Sequence, residues 1–399
     1  MFLPAALLVL SACVGDREER LQLVGFGRGP QQTITCPEGS VNIAPRQSIT
    51  AATNVRPAGT SFCIQAGVHL ITTAIVPKTG NTYTGEYGAV LEGSTWASSG
   101  VDQTATAFRA YDQDIAYDQD IDDVTIRNLL IQDMPWGAVM AFHEFSNNWI
   151  VDHNDIYNNS VGVGVGNAFV VTNNLIHHNL LDPTNPDPAF RGGGYEGFQS
   201  SGSLWVNNDI SFNGPEQKMV GTTNTTFRGN DVHDNYADGI WFDADNTGVV
   251  IEGNHVYDNG RIGIDHEVSG GAIIRNNVIE RNPTGLFIST SKDVEAYGNT
   301  FRDNYDHQVE LFLDTSAVGG GAISWDLTNN YIHNNLMIGS GLTILPTPVE
   351  FYDPTQKGNR FVNNTYDVPD RSGRYWAYGG AERTFAEWQA VGQDITGSA

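Results

Sequence analysis

The sequence predicts an all-β chain wound as one parallel solenoid of about ten coils, closed by a short C-terminal capping helix. Three observations carry this reading. Helical periodicity is nearly absent across the 399 residues, 44 glycines with many Asn and Asp mark frequent bends, and a six-residue phrase, Asn-x-apolar-x-x-Asn, recurs from about Asn128 onward.

The phrase reads "NDIYNN" at 154, "NLIHHN" at 174, "NDISFN" at 208, "NDVHDN" at 230, "NHVYDN" at 254, "NVIERN" at 277, "NTFRDN" at 299 and "NYIHNN" at 330. Most starts lie 20 to 24 residues apart, and the two longer gaps, 34 and 31, read as one period plus an insertion. A period of that length with two or three short strands suits one coil of a parallel β-solenoid, and right-handed winding is the rule for parallel connections. Asn suits the bends because it tolerates left-handed backbone angles and its side chain hydrogen-bonds to its counterpart one coil away. A leucine-rich repeat of similar length needs several spaced leucines per repeat, and these are missing.

Residues 1–13, "MFLPAALLVLSAC", form an apolar run too short to span a membrane. Leu10-Ser11-Ala12-Cys13 resembles a bacterial lipoprotein signal with Cys13 as the lipidated residue, and an ordinary cleaved signal peptide is the competing reading. Either way the chain is expected to be secreted or held at the bacterial cell envelope, touching a membrane only through that lipid. Residues 14–60 then lead to the first coil, 61–368 form the solenoid and 369–399 cap it. Cys36 and Cys63 remain as an even pair in an exported chain, so a disulfide between them is expected, against the alternative of two buried thiols. The formal net charge of −25 disfavours nucleic acid and anionic lipid and favours a neutral or cationic partner. A polyanionic substrate needs a bridging cation such as Ca²⁺ or a local basic groove.

The repeat, the stretch "FCIQAGVHLITTAIVPKTGNTYTGEYGAVLEG" (62–93) and the stretch "RTFAEWQAVGQDITGS" (383–398) together resemble bacterial right-handed parallel β-helix proteins of the pectate-lyase-like kind, over roughly residues 60–399. Thr384 to Val391 is the segment expected to cap the last coil as a helix. The resemblance implies this fold and a carbohydrate-active, monomeric protein with a polysaccharide partner. It implies no single reaction, because the fold hosts lyases, hydrolases, epimerases, esterases and adhesins without turnover.

Eight or nine residues after the first Asn of several phrases comes Gly and then an alternating run: "GVGVG" at 162, "GIWFD" at 239, "GIDHE" at 263 and "GLFIS" at 285. With the first residue after Gly pointing inward, the outward positions are Gly164 and Gly166, Trp241 and Asp243, Asp265 and Glu267, then Phe287 and Ser289, while "EQKMV" adds Lys218. Strands lie about 4.8 Å apart, so Asp243 and Glu267 are expected roughly 5 Å from each other. Like charges that close call for a counter-charge, a metal or a raised pKa. In related β-helix sequences a Lys coil, a Trp-x-Asp coil and a His-Glu coil follow one another; the matching residues here are Lys218, Trp241-Phe242-Asp243 and His266-Glu267. The plainer reading is that outward strand residues are polar because they are wet.

His266 is expected to point inward, as a core histidine or as one orienting Glu267 at the substrate site. His177, His178, His233 and His255 sit beside the Asn bends, and no grouping has zinc spacing. The insertions "LLDPTNPDPAFRGGGYEG" (180–197) and "LDTSAVGGGAISWD" (313–326) are expected as loops walling a groove, with Arg191, Tyr195, Glu196 and Trp136 as sugar contacts.

Three readings follow. In the first, a glycoside hydrolase uses Asp243 and Glu267 as its acid and nucleophile pair, in either order, with Trp241 as a stacking platform beside Asp265. In the second, a uronan lyase or epimerase uses Lys218 as base, with Asp245 among the carboxylates holding Ca²⁺. The third is a glycan-binding or adhesive solenoid without turnover.

Overall fold

The computed structural model describes residues 31–96, 104–110, 120–180, 192–345 and 357–399. Cys13 and Arg191 fall outside them. Among the described residues the strands, mostly three to six residues long, build three sheets of 13, 12 and 12 strands. Most coils give one strand to each sheet, and a strand pairs in parallel with its counterpart one coil on, as Ile150–Asp152 does with Val170–Thr172; the third sheet ends in an antiparallel pair, Trp376–Tyr378 with Ala381–Arg383. The stack runs past the expected ten coils because the first ones, such as Ser61–Ile64 and Thr82–Gly85, lack the Asn phrase that makes the others visible.

Alternation decides what is buried. The central residue of each short strand turns inward, so Val171, Trp205, Phe227 and Ile251 follow one another down the first sheet, all fully buried. Trp205 and Phe227 stack at 5.3 Å and 10°. Each such side chain contributes about 1.5–3 kcal/mol by leaving water, which over a dozen coils is the main term holding the solenoid together.

The Asn residues form the expected ladders. Asn208 Nδ2 donates to Asn230 Oδ1 at 3.0 Å and to the Val171 carbonyl at 2.9 Å, while the Asn208 backbone N–H donates to the same Oδ1 at 2.9 Å. A buried amide left without partners costs about 1–3 kcal/mol, so stacking identical amides lets every coil satisfy the next. Two details differ from expectation. The left-handed residue is the one before the ladder Asn, for example Asn207 (φ 54), Gly229 (φ 63) and Asp258 (φ 54), so the ladder Asn is selected for its hydrogen bonds and its predecessor for the bend. The last phrase is out of register with the others: Asn299 bonds to Asn335, and Tyr331–His333 belongs to the first sheet, so the insertion lengthens that coil more than the spacing of 31 implies.

The first sheet begins at Val41–Ile43, ahead of the solenoid start expected at residue 61, and the helix Ile49–Val55 lies over it with Ser48 as N-cap. The Cys36–Cys63 disulfide forms, with a Cα–Cα distance of 5.6 Å. At the other end the helix Phe385–Ala390 starts from a Thr384–Glu387 capping box and buries Trp388 against Phe361. Asp394 takes the place of a ladder Asn, accepting from Asn364 and from the Tyr366 hydroxyl. No helix of the described residues is long and apolar enough to cross a membrane.

Candidate active site

The third sheet carries the site on its outer face. Its strands Gly193–Phe198, Lys218–Val220, Ile240–Asp243, Ile262–Glu267, Thr284–Ser289 and His307–Phe312 lie side by side in that order. One outward row runs Trp241, Asp265, Phe287, Glu310, and the next runs Val220, Asp243, Glu267, Ser289, Phe312. The pairing of Met219 with Phe242 sets Lys218 level with Trp241, and Glu196 is level with Lys218 on the other side. The glycines at 239, 263 and 285 leave no room for a side chain: a Cβ on Gly239 would meet the Gly263 carbonyl at 2.7 Å. This close approach keeps the strand starts in phase, and with them the outward rows.

Asp243 and Glu267 are direct neighbours across adjacent strands. Lys218 Nζ donates to Asp243 Oδ2 at 2.9 Å, which supplies the counter-charge that the close pair requires. Glu267 has no such ion pair among the described residues. Burial pushes its carboxyl above the usual range and Asp243 adds repulsion, while the Trp241 side chain and Arg261 draw it partly back. The two carboxyls therefore sit in different electrostatic settings, one paired with an ammonium and one biased toward the protonated form.

Around this pair the site is more elaborate than its sequence discloses. Asp265 is buried; burial and the nearby Asp238 and Glu267 hold its carboxyl well above the ordinary range, and its Oδ1 has no hydrogen-bond partner among the described residues. Burial and Glu216 push the half-buried Glu196 up to about 8 against the pull of Lys218. Arg261 is held by Asp238, with Nε to Oδ1 at 2.8 Å and Nη2 against Oδ2. Lys218 from the coil before Trp241 and Arg261 from the coil after it lie over the indole, at 4.7 Å and 5.4 Å from its centroid.

Several expected contacts are corrected. Tyr195 is fully buried and faces the core; its hydroxyl donates to the Gly239 carbonyl at 3.2 Å and accepts from the Trp241 N–H at 2.8 Å. It fills a gap, because the three-residue strand Lys218–Val220 is too short to pair with the start of Ile240–Asp243. His266 points inward beside Phe242 and neither ring nitrogen has a hydrogen-bond partner among the described residues, so it neither orients Glu267 nor reaches a substrate; burial lowers it to about 4. Trp136 directly precedes the strand Gly137–Asn147, which lies four strands before Ile240–Asp243, roughly 19 Å away, and it does not join the site. Trp241, with cations from both neighbouring coils over its ring, is a spacer between charges rather than an open stacking platform.

The calcium ligands do not converge either. Asp245 Oδ1 accepts from the Ala322 N–H at 2.8 Å and from Trp325 Nε1 at 2.9 Å, so it pins the 313–326 loop along the edge of the site. Of the carboxylates expected to hold Ca²⁺, Asp245 thus already accepts from the loop and Asp243 from Lys218, while the carboxyls of Asp265 and Glu267 are both raised by burial.

Arg261 and Asp238 were not singled out in the sequence. The available signal was their opposite charge 23 residues apart, Asp238 directly before and Arg261 two residues before a "GI" strand start.

The family model for the right-handed β-helix region matches residues 184–304 and 218–382. No curated protein matches the chain by sequence. Among solved structures, the A-module of the Azotobacter vinelandii mannuronan C-5 epimerase AlgE4 is similar at 16% identity and a TM-score of 0.62, covering 87% of this chain and 94% of that one. XylC, solved in complex with xylose, is similar at 12% identity and 0.56, covering 82% and 83%. PfbA, a surface adhesin of Streptococcus pneumoniae, is similar at 10% identity and 0.54, covering 84% and 89%. The chain is a right-handed parallel β-helix protein.

Proposed function

We propose that this protein is an exported, carbohydrate-active enzyme that hydrolyses a polysaccharide with Asp243 as nucleophile and Glu267 as general acid. The observation that carries the reading is the unequal environment of two carboxyls set directly opposite one another: Asp243 ion-paired with Lys218 at 2.9 Å, Glu267 raised by burial and by Asp243. Glycoside hydrolysis needs one carboxylate and one carboxylic acid, and environments that push two neighbours apart assign those roles. Carboxyls on adjacent strands fall near the roughly 5–5.5 Å of retaining enzymes, so the anomeric configuration is expected to be kept.

In the first step Glu267 gives its proton to the glycosidic oxygen as that bond breaks, and an Asp243 oxygen forms the bond to the anomeric carbon. Glu267, now ionised, then takes a proton from water as the water attacks the same carbon and frees Asp243. Lys218 holds the Asp243 carboxylate in place throughout. The Cys36–Cys63 disulfide supports an oxidising, extracytoplasmic location.

A lyase or epimerase acting on an acidic glycan is the second reading, favoured by the two cations, Lys218 and Arg261, beside Trp241. The Lys218–Asp243 ion pair weighs against it, because a base must be free to accept a proton. Incubating the protein with a panel of neutral and acidic polysaccharides separates the two. New reducing ends without the ultraviolet absorbance of unsaturated sugars, and unaffected by EDTA, are expected; unsaturated product lost on chelation would replace the hydrolase reading with the lyase one.

A further inference from the structure

Past Glu267 the outer face of the third sheet changes character. Phe287 neighbours Asp265, and Phe312 lies two strands beyond Glu267 in its row. The two rings stack with centroids 5.8 Å apart at 25°. Phe312 is 39% exposed and Tyr305, just before its strand, 63% exposed. Residues 305–312 hold two acidic residues, Asp306 and Glu310, and Glu310, the neighbour of Phe287, is tied to His307 Nδ1 at 2.9 Å. Toward the other end the same rows carry Lys218, Glu196 and a single aromatic, Phe198, 41% exposed, and cations cover Trp241, whereas on the Phe287 side two rings stand together.

A wall accompanies this floor. The 313–326 loop leaves the sheet directly after Phe312 and runs back along the axis. Asp314 N–H donates to Thr290 Oγ1 at 2.7 Å, Lys292 Nζ donates to the Ser324 carbonyl at 3.2 Å, and Asp245 takes the far end. The result is a strip of two aromatic rings interleaved with Ser289 and Glu310, flanked on one edge and continuous with the carboxyl pair.

We infer that Phe287 and Phe312 form a stacking subsite for uncharged pyranose rings of a glycan lying along the solenoid axis, on the side of the carboxyl pair opposite Lys218. At about 4.8 Å per strand, Phe312 stands roughly 10 Å from Glu267, which leaves space for intervening sugar between the reacting bond and the stacked ring. Phe rings offer large apolar area, and an aromatic pair such as Phe287–Phe312 is worth about 0.5–1.5 kcal/mol beyond area burial, which holds the two rings in place for a ligand. The placement of the reacting bond rests on the proposed roles of Asp243 and Glu267; the subsite itself does not.

The test is calorimetric titration of the full chain with neutral β-1,4-linked xylose, glucose and mannose oligosaccharides, dimer against hexamer. At least one hexamer is expected to bind more tightly than its dimer, and Phe312→Ala and Phe287→Ala are expected to lower that hexamer-to-dimer ratio by about tenfold. Phe312→Tyr keeps the ratio, and circular dichroism melts establish that each variant is folded. An unchanged ratio in folded Phe312→Ala, or no neutral hexamer bound by the wild type, overturns the subsite. Asp243→Asn and Glu267→Gln run alongside: full turnover in both with a lost ratio in Phe312→Ala removes the hydrolase reading and leaves the subsite, and the converse removes the subsite alone.

Discussion

Lys218 Nζ lies 2.9 Å from Asp243 Oδ2 across one strand boundary, and in the proposed hydrolysis this contact makes Lys218 the counter-ion rather than the base. Arginine keeps a positive charge but does not give up its proton, so Lys218→Arg separates the two parts. Under hydrolysis Lys218→Arg is expected to retain activity within about tenfold, while Lys218→Met, which leaves Asp243 unpaired, loses about 10²-fold in kcat/KM. Steady-state kinetics on the substrate found by screening makes the comparison. A dead Lys218→Arg beside a folded melting curve favours proton abstraction by Lys218.

Glu267 must carry a proton to act as the acid, and its carboxyl is held above the ordinary range by burial and by Asp243. The rate is therefore expected to fall as pH rises through that elevated value, since the ionised form cannot donate. Glu267→Gln is expected to lose this alkaline limb along with most of the rate. A pH profile of kcat/KM for both proteins reads it directly.

Glu196 ties stability to pH. Its folded carboxyl is pushed up to about 8 from an ordinary 4.5, chiefly by burial and then by Glu216. Because the folded value is the higher one, its stabilising contribution is complete below the unfolded value and is lost as pH rises from there through about 8. Glu196→Gln is expected to flatten the fall in melting temperature across that window and to melt above the wild type at the alkaline end. Thermal melts at a series of pH values measure the difference; parallel curves for the two proteins count against it.

Tyr195 completes the backbone bonding at the start of the Trp241 strand. Tyr195→Phe leaves the buried Trp241 N–H and Gly239 carbonyl without that partner and is expected to cost about 1–3 kcal/mol. Chemical denaturation gives the loss, and amide hydrogen exchange localises it, with Trp241 N–H losing protection first.

The fold was legible because its signals are local and repeated. The ladder Asn at 208, 230 and 254 must recur in every coil to satisfy its neighbour, and glycines at 239, 263 and 285 recur where strands approach most closely. The same alignment brought Asp243 and Glu267 together. What stayed hidden depends on single long-range contacts: Asp245 meeting a loop near Ala322, or Tyr195 filling the gap behind Trp241. Tyr195 read as a loop residue because it ends an insertion, whereas Gly193 and Gly194 already restart the strand before it. The last Asn phrase misled in register because an insertion shifted which bend of the coil it marks.

The central claim is that Asp243 and Glu267 act together on a glycosidic bond. The most direct measurement is release of reducing ends from the screened polysaccharide by Asp243→Asn and Glu267→Gln, each with a melting curve. The account predicts that both variants fold and that each loses about 10²–10⁴-fold in kcat. Full activity in both folded variants would contradict it.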